Sequence, residues 1–145
     1  MAARRSLRAA VGAVMAAVVA MITGCAQLPF TDGSFEKKIP AAIEQASFPV
    51  QKAWADKGTD GLTTYLAVGV TLAQDEFTAE DLREMLKIVA ANNTINATQF
   101  RIYVRDPDDD SIDLTPLFTQ LGVQNLLGYG DTINAEDLER VTSSG

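Results

Sequence analysis

The chain has 145 residues, enough for one domain and short for two. Its 12 Lys and Arg stand against 19 Asp and Glu, and 47% of its residues are hydrophobic, so we expect a packed domain with an acidic surface. This balance argues against electrostatic binding to nucleic acid or anionic lipid, because both need clustered Lys and Arg. With no histidine and one cysteine, the chain lacks the commonest general base and metal ligand, and it has no internal disulfide.

Residues 1–24 have the three-part layout of a secretory signal. Arg4, Arg5 and Arg8 give a positive start, an uncharged run of 15 residues follows, and the segment ends in a glycine before Cys25. Removing it leaves nine basic residues against 19 acidic ones, a net charge of −10 on 121 residues. The alternative is an uncleaved membrane anchor, but a spanning helix needs about 20 strongly apolar residues and this run is rich in alanine.

The four residues Ile22-Thr23-Gly24-Cys25 resemble the lipobox of bacterial lipoprotein signals, an aliphatic residue, a small residue, Gly or Ala, and then cysteine. The resemblance implies diacylglyceryl transfer to the Cys25 thiol, cleavage before Cys25 and acylation of the new amine, for example by palmitate. Two or three acyl chains anchor a protein stably, whereas one holds it only marginally. We therefore expect a lipoprotein attached through Cys25 to the extracytoplasmic face of the cell membrane.

Residues 25–34 contain Pro, Gly and small polar residues, which predict a short tether, and residues 35–145 are expected to form one domain. The domain should open with a helix whose regular part starts at Pro40, as a first helical residue. The apolar face of this helix would hold Phe35, Ile39, Ala42, Ile43 and Ala46.

A first strand is predicted next, with Phe48, Val50 and Trp54 on one side, and the Asp and Gly content of residues 56–61 predicts a turn. The following strand should pair with the first as an antiparallel hairpin. Its core face would carry Leu62, Leu66, Val68, Val70 and Leu72.

The most regular helical pattern follows, capped by Thr78 with Asp81 three residues on. Its core stripe would be Leu82, Met85, Leu86 and Val89. A strand with Phe100, Ile102 and Val104 facing the core comes next. The chain then predicts a short helix ended by Gly122, a short edge strand weakened by two glycines, and a last helical turn or two.

This order of elements predicts an α+β fold, in which a small antiparallel or mixed sheet of three or four strands packs on helices as a ferredoxin-like two-layer sandwich. The pattern does not determine the strand order. From the sequence LTTYLAVGVTL through IDLTPLFTQLG, the domain is similar to uncharacterised small envelope lipoproteins of actinobacteria. That resemblance implies an envelope location and no particular activity.

Asp106, Asp108 and Asp110 alternate as the first ligands of a calcium loop do. The match is partial, because Ser111 stands where the sharp-turn glycine belongs and Leu117 where the bidentate glutamate belongs. The alternative is a solvated loop whose Asp113 caps the next helix. We therefore predict no metal and no cofactor, and no enzymatic activity, because no histidine could activate a Ser, Thr or Tyr nucleophile.

The two clear strands also present polar residues on the side away from the core. If they are neighbours, Tyr65, Arg101, Tyr103 and Arg105 share one face of an otherwise acidic protein. Arg and Tyr dominate the energetics of protein contacts. The sequence thus predicts a lipid-anchored binding or adaptor module with an envelope protein as candidate partner. The alternatives are that a helix covers this face, that the protein carries a small ligand or metal ion, or that it is purely structural.

Overall fold

The structure is a computed structural model that describes residues 33–128 and 131–145. The predicted signal segment 1–24 and most of the tether 25–34, including Cys25, lie outside the described residues. None of the described helices is long and apolar enough to cross a membrane. The helices and strands are, in chain order, α1 (Phe35–Ile43), β1 (Val50–Asp60), β2 (Thr63–Leu72), α2 (Ala79–Ala91), β3 (Gln99–Arg105), α3 (Thr115–Gln120), β4 (Thr132–Asn134) and α4 (Ala135–Ser143).

The four strands form one mixed sheet in the order β1-β2-β3-β4. Strands β1 and β2 pair antiparallel as the predicted hairpin, β2 and β3 are parallel, and β3 and β4 are antiparallel. A parallel pair needs a crossover connection, and α2 supplies it between β2 and β3. The predicted α+β class, with a small sheet packed on helices, is confirmed.

The hydrophobic core lies between one face of the sheet and the helices. Strand β2 contributes alternate residues from Leu66 to Leu72, and all four described helices contribute buried side chains to the same cluster. The predicted core stripe of α2 and the predicted inner face of β3 are buried as expected. These residues are Leu82, Met85, Leu86, Val89, Phe100, Ile102 and Val104.

Helix α2 begins with the predicted capping box. The Asp81 amide donates to Thr78 Oγ1 at 3.2 Å, and the Thr78 amide donates to the Asp81 carboxylate at 2.8 Å. The preceding residue, Phe77, packs edge-to-face on Phe48 with ring centroids 5.4 Å apart. Two otherwise unsatisfied amides thus find partners, and the start of the crossover helix is determined locally.

Helix α1 starts at Phe35, so the prediction that it starts at Pro40 is wrong. Proline inside a helix removes one backbone hydrogen bond and crowds the preceding turn, at a cost of about 3 kcal/mol. Phe35, Ile39 and Ile43 are all buried at a spacing of four residues. Burying each such side chain contributes roughly 1.5–3 kcal/mol, which together outweighs the proline penalty.

Strand β1 contains a β-bulge that changes the direction of its later side chains. Val50 pairs with Leu72, and the next pair is Lys52 with Thr71, so one residue of β1 is extra. Val50 therefore packs against the core, whereas Trp54 lies on the opposite face of the sheet. The prediction that Trp54 shares a side with Val50 is wrong.

The hairpin between β1 and β2 is tighter than predicted. Strand β1 continues to Asp60, and the turn is made by Gly61, at φ +60°, and Leu62. Glycine at that backbone conformation suits a two-residue hairpin turn, so residues 56–60 are free to pair with β2. Leu62 is fully exposed at the hairpin tip, with 105% relative accessibility, and its predicted place in the core is wrong.

The last predicted helices and the edge strand are present, but the two glycines expected within that strand precede it in the sequence. Gly122, at φ +83°, follows α3, and β4 is a three-residue edge strand beside β3. Helix α4 is longer than a turn or two, and the Asn134 side chain caps it by accepting from the Asp137 amide at 2.7 Å. The sheet edge and the C-terminal helix therefore follow one another without a loop.

Candidate functional site

The sheet face away from the core is formed by residues of β1, β2 and β3 that lie in rows across the strands. The rows are Lys52–Thr71–Arg105, Trp54–Gly69–Tyr103, Asp56–Ala67–Arg101 and Gly58–Tyr65–Gln99, and together they form the open face. No residue of the four described helices lines the groove above this face. Among the described residues, the helices therefore leave the face uncovered.

The four residues predicted as a partner face are brought together here. The Arg101 guanidinium lies over the Tyr65 ring, with its Cζ atom 3.7 Å from the ring centroid, and it also forms an ion pair with Asp60 at 3.3 Å. Arg105 lies at the other end, in the first row, and Tyr103 lies between the two arginines. The cation–π contact holds Arg101 flat against the sheet and leaves its edge free to donate hydrogen bonds.

Trp54 is the largest residue of the open face, although the sequence pattern predicts it on the same side of the strand as Phe48 and Val50. Its indole stacks on Tyr103, with ring centroids 5.8 Å apart and an interplanar angle of 22°. The two side chains remain 40% and 36% exposed. One signal was present in the sequence, because Lys52 and Asp56 flank Trp54 at a spacing of two, so the tryptophan shares the polar side of its strand.

Two glycines let these aromatic rings lie across the strands. A Cβ atom at Gly69 would overlap the indole ring of Trp54, and a Cβ atom at Gly58 would overlap the ring of Tyr65. Glycine within a strand often marks such a close approach. The rings are thus held against the backbone of a neighbouring strand, and they form a low platform across the sheet.

A groove of about 800 Å³ lies above this platform. The loop after β3 contributes Asp109, Ser111 and Asp113 to its wall, and Asp131, just before β4, contributes from another side. This volume falls within the range of about 300–1,000 Å³ that is usual for ligand sites. The open face is therefore concave enough to hold a ligand of several rings.

The groove carries charges of both signs in similar number. Its cations are Lys52, Arg101 and Arg105, and its carboxylates are Asp56, Asp109, Asp113 and Asp131. Part of this charge is already compensated, because Arg105 contacts the Asp109 carboxylate at 3.1 Å and its carbonyl at 2.9 Å. The groove therefore gives no strong preference to an anionic or a cationic ligand.

The Tyr103 hydroxyl has a pKa above the ordinary tyrosine value. Partial burial raises the pKa of its hydroxyl, and the nearby Asp131 carboxylate raises it further, while Arg101 acts in the opposite direction. Asp131 is fixed by the Thr132 hydroxyl, which donates to it at 2.9 Å. The Tyr103 hydroxyl therefore stays protonated at neutral pH and can donate a hydrogen bond.

The aspartate loop is organised by its own backbone. The Asp106 carboxylate accepts from the amides of Asp108 and Asp110, both at 2.9 Å, and this forms the turn. In the part of the chain that the structure describes, no three Asp, Glu, Cys or His side chains lie close enough to hold a metal ion. Asp106, Asp108 and Asp110 are thus not gathered around one point, and the loop forms a wall of the groove.

Asp113 acts near the start of α3, although the cap position itself is occupied by Leu114. Its carboxylate accepts from the Thr115 amide at 2.9 Å, and this hydrogen bond lowers the pKa of Asp113. The prediction that Asp113 caps this helix is therefore wrong: Asp113 lies one residue before the cap position and makes its hydrogen bond to the first helical residue from there.

No protein-family model, curated protein or solved structure matches the chain.

Replacing Gly69 with alanine should move Trp54. The new methyl group would displace the indole and weaken its stack on Tyr103, worth about 0.5–1.5 kcal/mol. Alanine also favours the strand by about 0.5–1 kcal/mol over glycine, so the net change in the free energy of unfolding should be small. The indole fluorescence should shift, because Trp54 is the only tryptophan of the chain.

A double-mutant cycle with Trp54→Ala supplies the control. In the Trp54→Ala background, Gly69→Ala should be stabilising, because no ring lies over position 69. Chemical denaturation of the four proteins gives the coupling energy, expected at about 0.5–1.5 kcal/mol. An equal effect of Gly69→Ala in both backgrounds would contradict the close approach.

Tyr103 should titrate above the ordinary tyrosine range. Because its pKa is raised in the folded state, its contribution to stability is fully present below the unfolded pKa of about 10 and is lost as the pH rises through the folded pKa. The difference in phenolate absorbance between wild type and Tyr103→Phe isolates this titration. Asp131→Asn should move it to lower pH, and an unchanged curve would show that the two groups do not interact.

Proposed function

We propose that this chain is a lipid-anchored protein of the cell envelope, that it acts as a non-enzymatic binding module, and that the open face is its binding surface. The observation that carries the proposal is the uncovered Trp54–Tyr103 stack beside the Arg101–Tyr65 pair. Trp, Tyr and Arg are the residue types on which binding energy is usually concentrated. On this chain they are grouped at the centre of one concave face.

The arrangement is also preorganised for binding. Trp54 and Tyr65 lie on the backbone at Gly69 and Gly58, and Arg101 is held by both Tyr65 and Asp60. Ordering a flexible side chain at an interface costs about 0.5–1.5 kcal/mol, and side chains that are already held lose less. A ligand would therefore meet a surface whose main contact groups need little rearrangement.

The proposed role is binding without chemistry. The chain has no histidine, and of the groove carboxylates Asp109 is paired with Arg105 while Asp113 supports the start of α3. A hydroxyl nucleophile needs an adjacent base to become reactive. We accordingly assign no catalytic residue, metal or cofactor to the protein.

The proposed anchor would limit how far the domain can lie from the membrane. The lipobox-like residues before Cys25 support lipid attachment at its thiol, and residues 25–34 would then join the lipid to the domain. Ten residues reach at most about 35 Å when fully extended. The binding module would thus work on an envelope component that comes near the outer surface of the cytoplasmic membrane.

The anchor is tested by the intact mass of the protein purified from bacterial membranes. We expect a species that begins at Cys25 and carries added acyl mass, found in the membrane fraction. The Cys25→Ala variant should keep its signal segment and lack the acyl mass. A full-length, unlipidated wild-type chain would contradict the lipoprotein assignment.

The binding surface is tested by photo-crosslinking in living cells. A benzophenone side chain replaces Lys52, at the rim of the open face, and a matched control replaces Lys57, an exposed lysine of the same strand that pairs with Leu66 on the other side. Benzophenone inserts into C–H bonds of any ligand class. We expect light-dependent adducts from position 52 only, which are lost with Tyr103→Ala.

Two results would contradict the proposed surface. Equal adducts from both positions would mean that ligands do not contact the open face in preference to the other side of the strand. No adduct from position 52 would mean that nothing binds there. Tyr103→Ala should lower the melting temperature by only a few degrees, because it removes the stack on Trp54, worth about 0.5–1.5 kcal/mol, and leaves the helix-packed core intact. This separates loss of binding from loss of fold.

A further inference from the structure

We propose that the open face binds an uncharged carbohydrate chain, such as a neutral segment of a cell-wall polysaccharide. This inference rests on the proposed function and adds to it the chemical class of the ligand. It depends on three features of the groove: the aromatic platform, the density of charged groups around it, and the balance of their signs.

The aromatic platform suits the apolar face of a sugar ring. Trp54 and Tyr103 are stacked within 22° of parallel, and each keeps more than a third of its surface exposed. A sugar ring presents a nearly flat set of C–H groups, and their slight positive charge meets the negative face of an aromatic ring. Because the Trp54 indole lies low on Gly69 and Tyr103 stacks on it, the pair offers a surface to rest on and does not project as an anchor into a partner's pocket.

The surroundings of the platform favour a ligand rich in hydroxyl groups. Lys52, Asp56, Arg101 and Tyr103 reach the groove within two rows of Trp54. The centre of an ordinary protein interface is depleted in charged residues, and such an interface would remove Lys52 and Asp56 from water. A sugar hydroxyl both donates and accepts, so it can accept from a guanidinium and donate to a carboxylate while the existing ion pairs remain.

The balance of charge indicates a neutral ligand. A phosphorylated or sulfated chain would meet the carboxylates of Asp56, Asp109 and Asp131, and a chain with net charge −7 would repel it at longer range. A cationic ligand would meet Lys52, Arg101 and Arg105. An uncharged chain avoids both repulsions.

The dimensions of the open face fit a short stretch of such a chain. Its rows follow one another at every second residue along the strands, a spacing of about 6.7 Å. The four rows from Lys52 to Gly58 therefore cover about 20 Å. This is long enough for several sugar residues to lie along the groove, so affinity should rise with oligosaccharide length until the face is filled.

Trp54 makes the test direct, because the only tryptophan of the chain lies in the proposed site. The protein purified from bacterial membranes, in detergent, is titrated with neutral tetramers of β-linked N-acetylglucosamine, β-linked glucose and α-linked glucose, and with neutral oligosaccharides from hydrolysed bacterial cell wall. Tryptophan fluorescence and the heat of binding are measured together. We expect saturable binding of at least one neutral sugar at micromolar to millimolar concentration.

Variants separate the site from the rest of the surface. Tyr103→Ala should weaken the binding by about tenfold, through loss of the stacked platform. Leu62→Ala removes an exposed apolar side chain at the hairpin tip and should leave the affinity unchanged. A sulfated tetramer should bind more weakly than its neutral counterpart, and tighter binding of the sulfated sugar would overturn the inference.

The outcomes distinguish this inference from the proposed function. If no neutral sugar binds and the crosslinker at position 52 traps a protein, the carbohydrate assignment is wrong and the binding module stands with a protein partner. If no neutral sugar binds and position 52 gives no adduct, both are wrong. Saturable binding that survives Tyr103→Ala would place the sugar elsewhere and would also overturn the inference.

Discussion

The β-bulge after Val50 is the constraint on which the open face depends. With one extra residue in β1, Val50, Ala53 and Ala55 pack against the core, and Trp54 lies on the other side. Regular pairing from Val50 onward would send Trp54 toward the helices and leave alanines facing outward. The bulge thus satisfies two requirements at once: small side chains where α1 packs on β1, and a large aromatic side chain over Gly69.

Local stability alone does not account for the pairing of Trp54 with Gly69. A glycine inside a strand costs about 0.5–1 kcal/mol relative to alanine, and an aromatic stack returns about 0.5–1.5 kcal/mol. These two contributions to the free energy of unfolding nearly cancel. A sheet with alanine at position 69 and a polar residue at position 54 would be as stable and would expose no indole. A combination that is neutral for folding and leaves Trp54 and Tyr103 40% and 36% exposed supports the proposal that this face is a binding surface.

The parts of the fold that could be predicted from the sequence are those with a local cause. The capping box of Thr78 and Asp81 lies within four residues, and the alternation of Phe100 and Ile102 with polar residues needs only the period of a strand. The start of α1 could not be predicted, because burial of Phe35 against distant residues outweighs the local effect of Pro40. At the start of α1, tertiary packing therefore stabilises the helix by more than Pro40 destabilises it.

The candidate site shows the same division. Alternation along each strand predicted which side of the sheet Tyr65, Arg101 and Tyr103 would occupy, but their meeting required β2 and β3 to be neighbours in parallel register. The position of Trp54 depended on the bulge, which is a property of the pairing between two strands and carries only a faint signal in one of them.

One face of the sheet packs against the core, and the other face contributes little to stability. Residues of the proposed surface can therefore be substituted without loss of the fold. The helices and one side of β2 and β3 hold the core, so substitutions there act on folding. On the open face, Arg101 and Arg105 are each balanced by a carboxylate of the same chain, at 3.3 Å and 3.1 Å. Exposed ion pairs contribute little to stability, so these positions are free to be shaped by what the groove contacts. A protein with this architecture can change the contacts that the proposed surface offers by exchanging residues of one sheet face while its core stays the same.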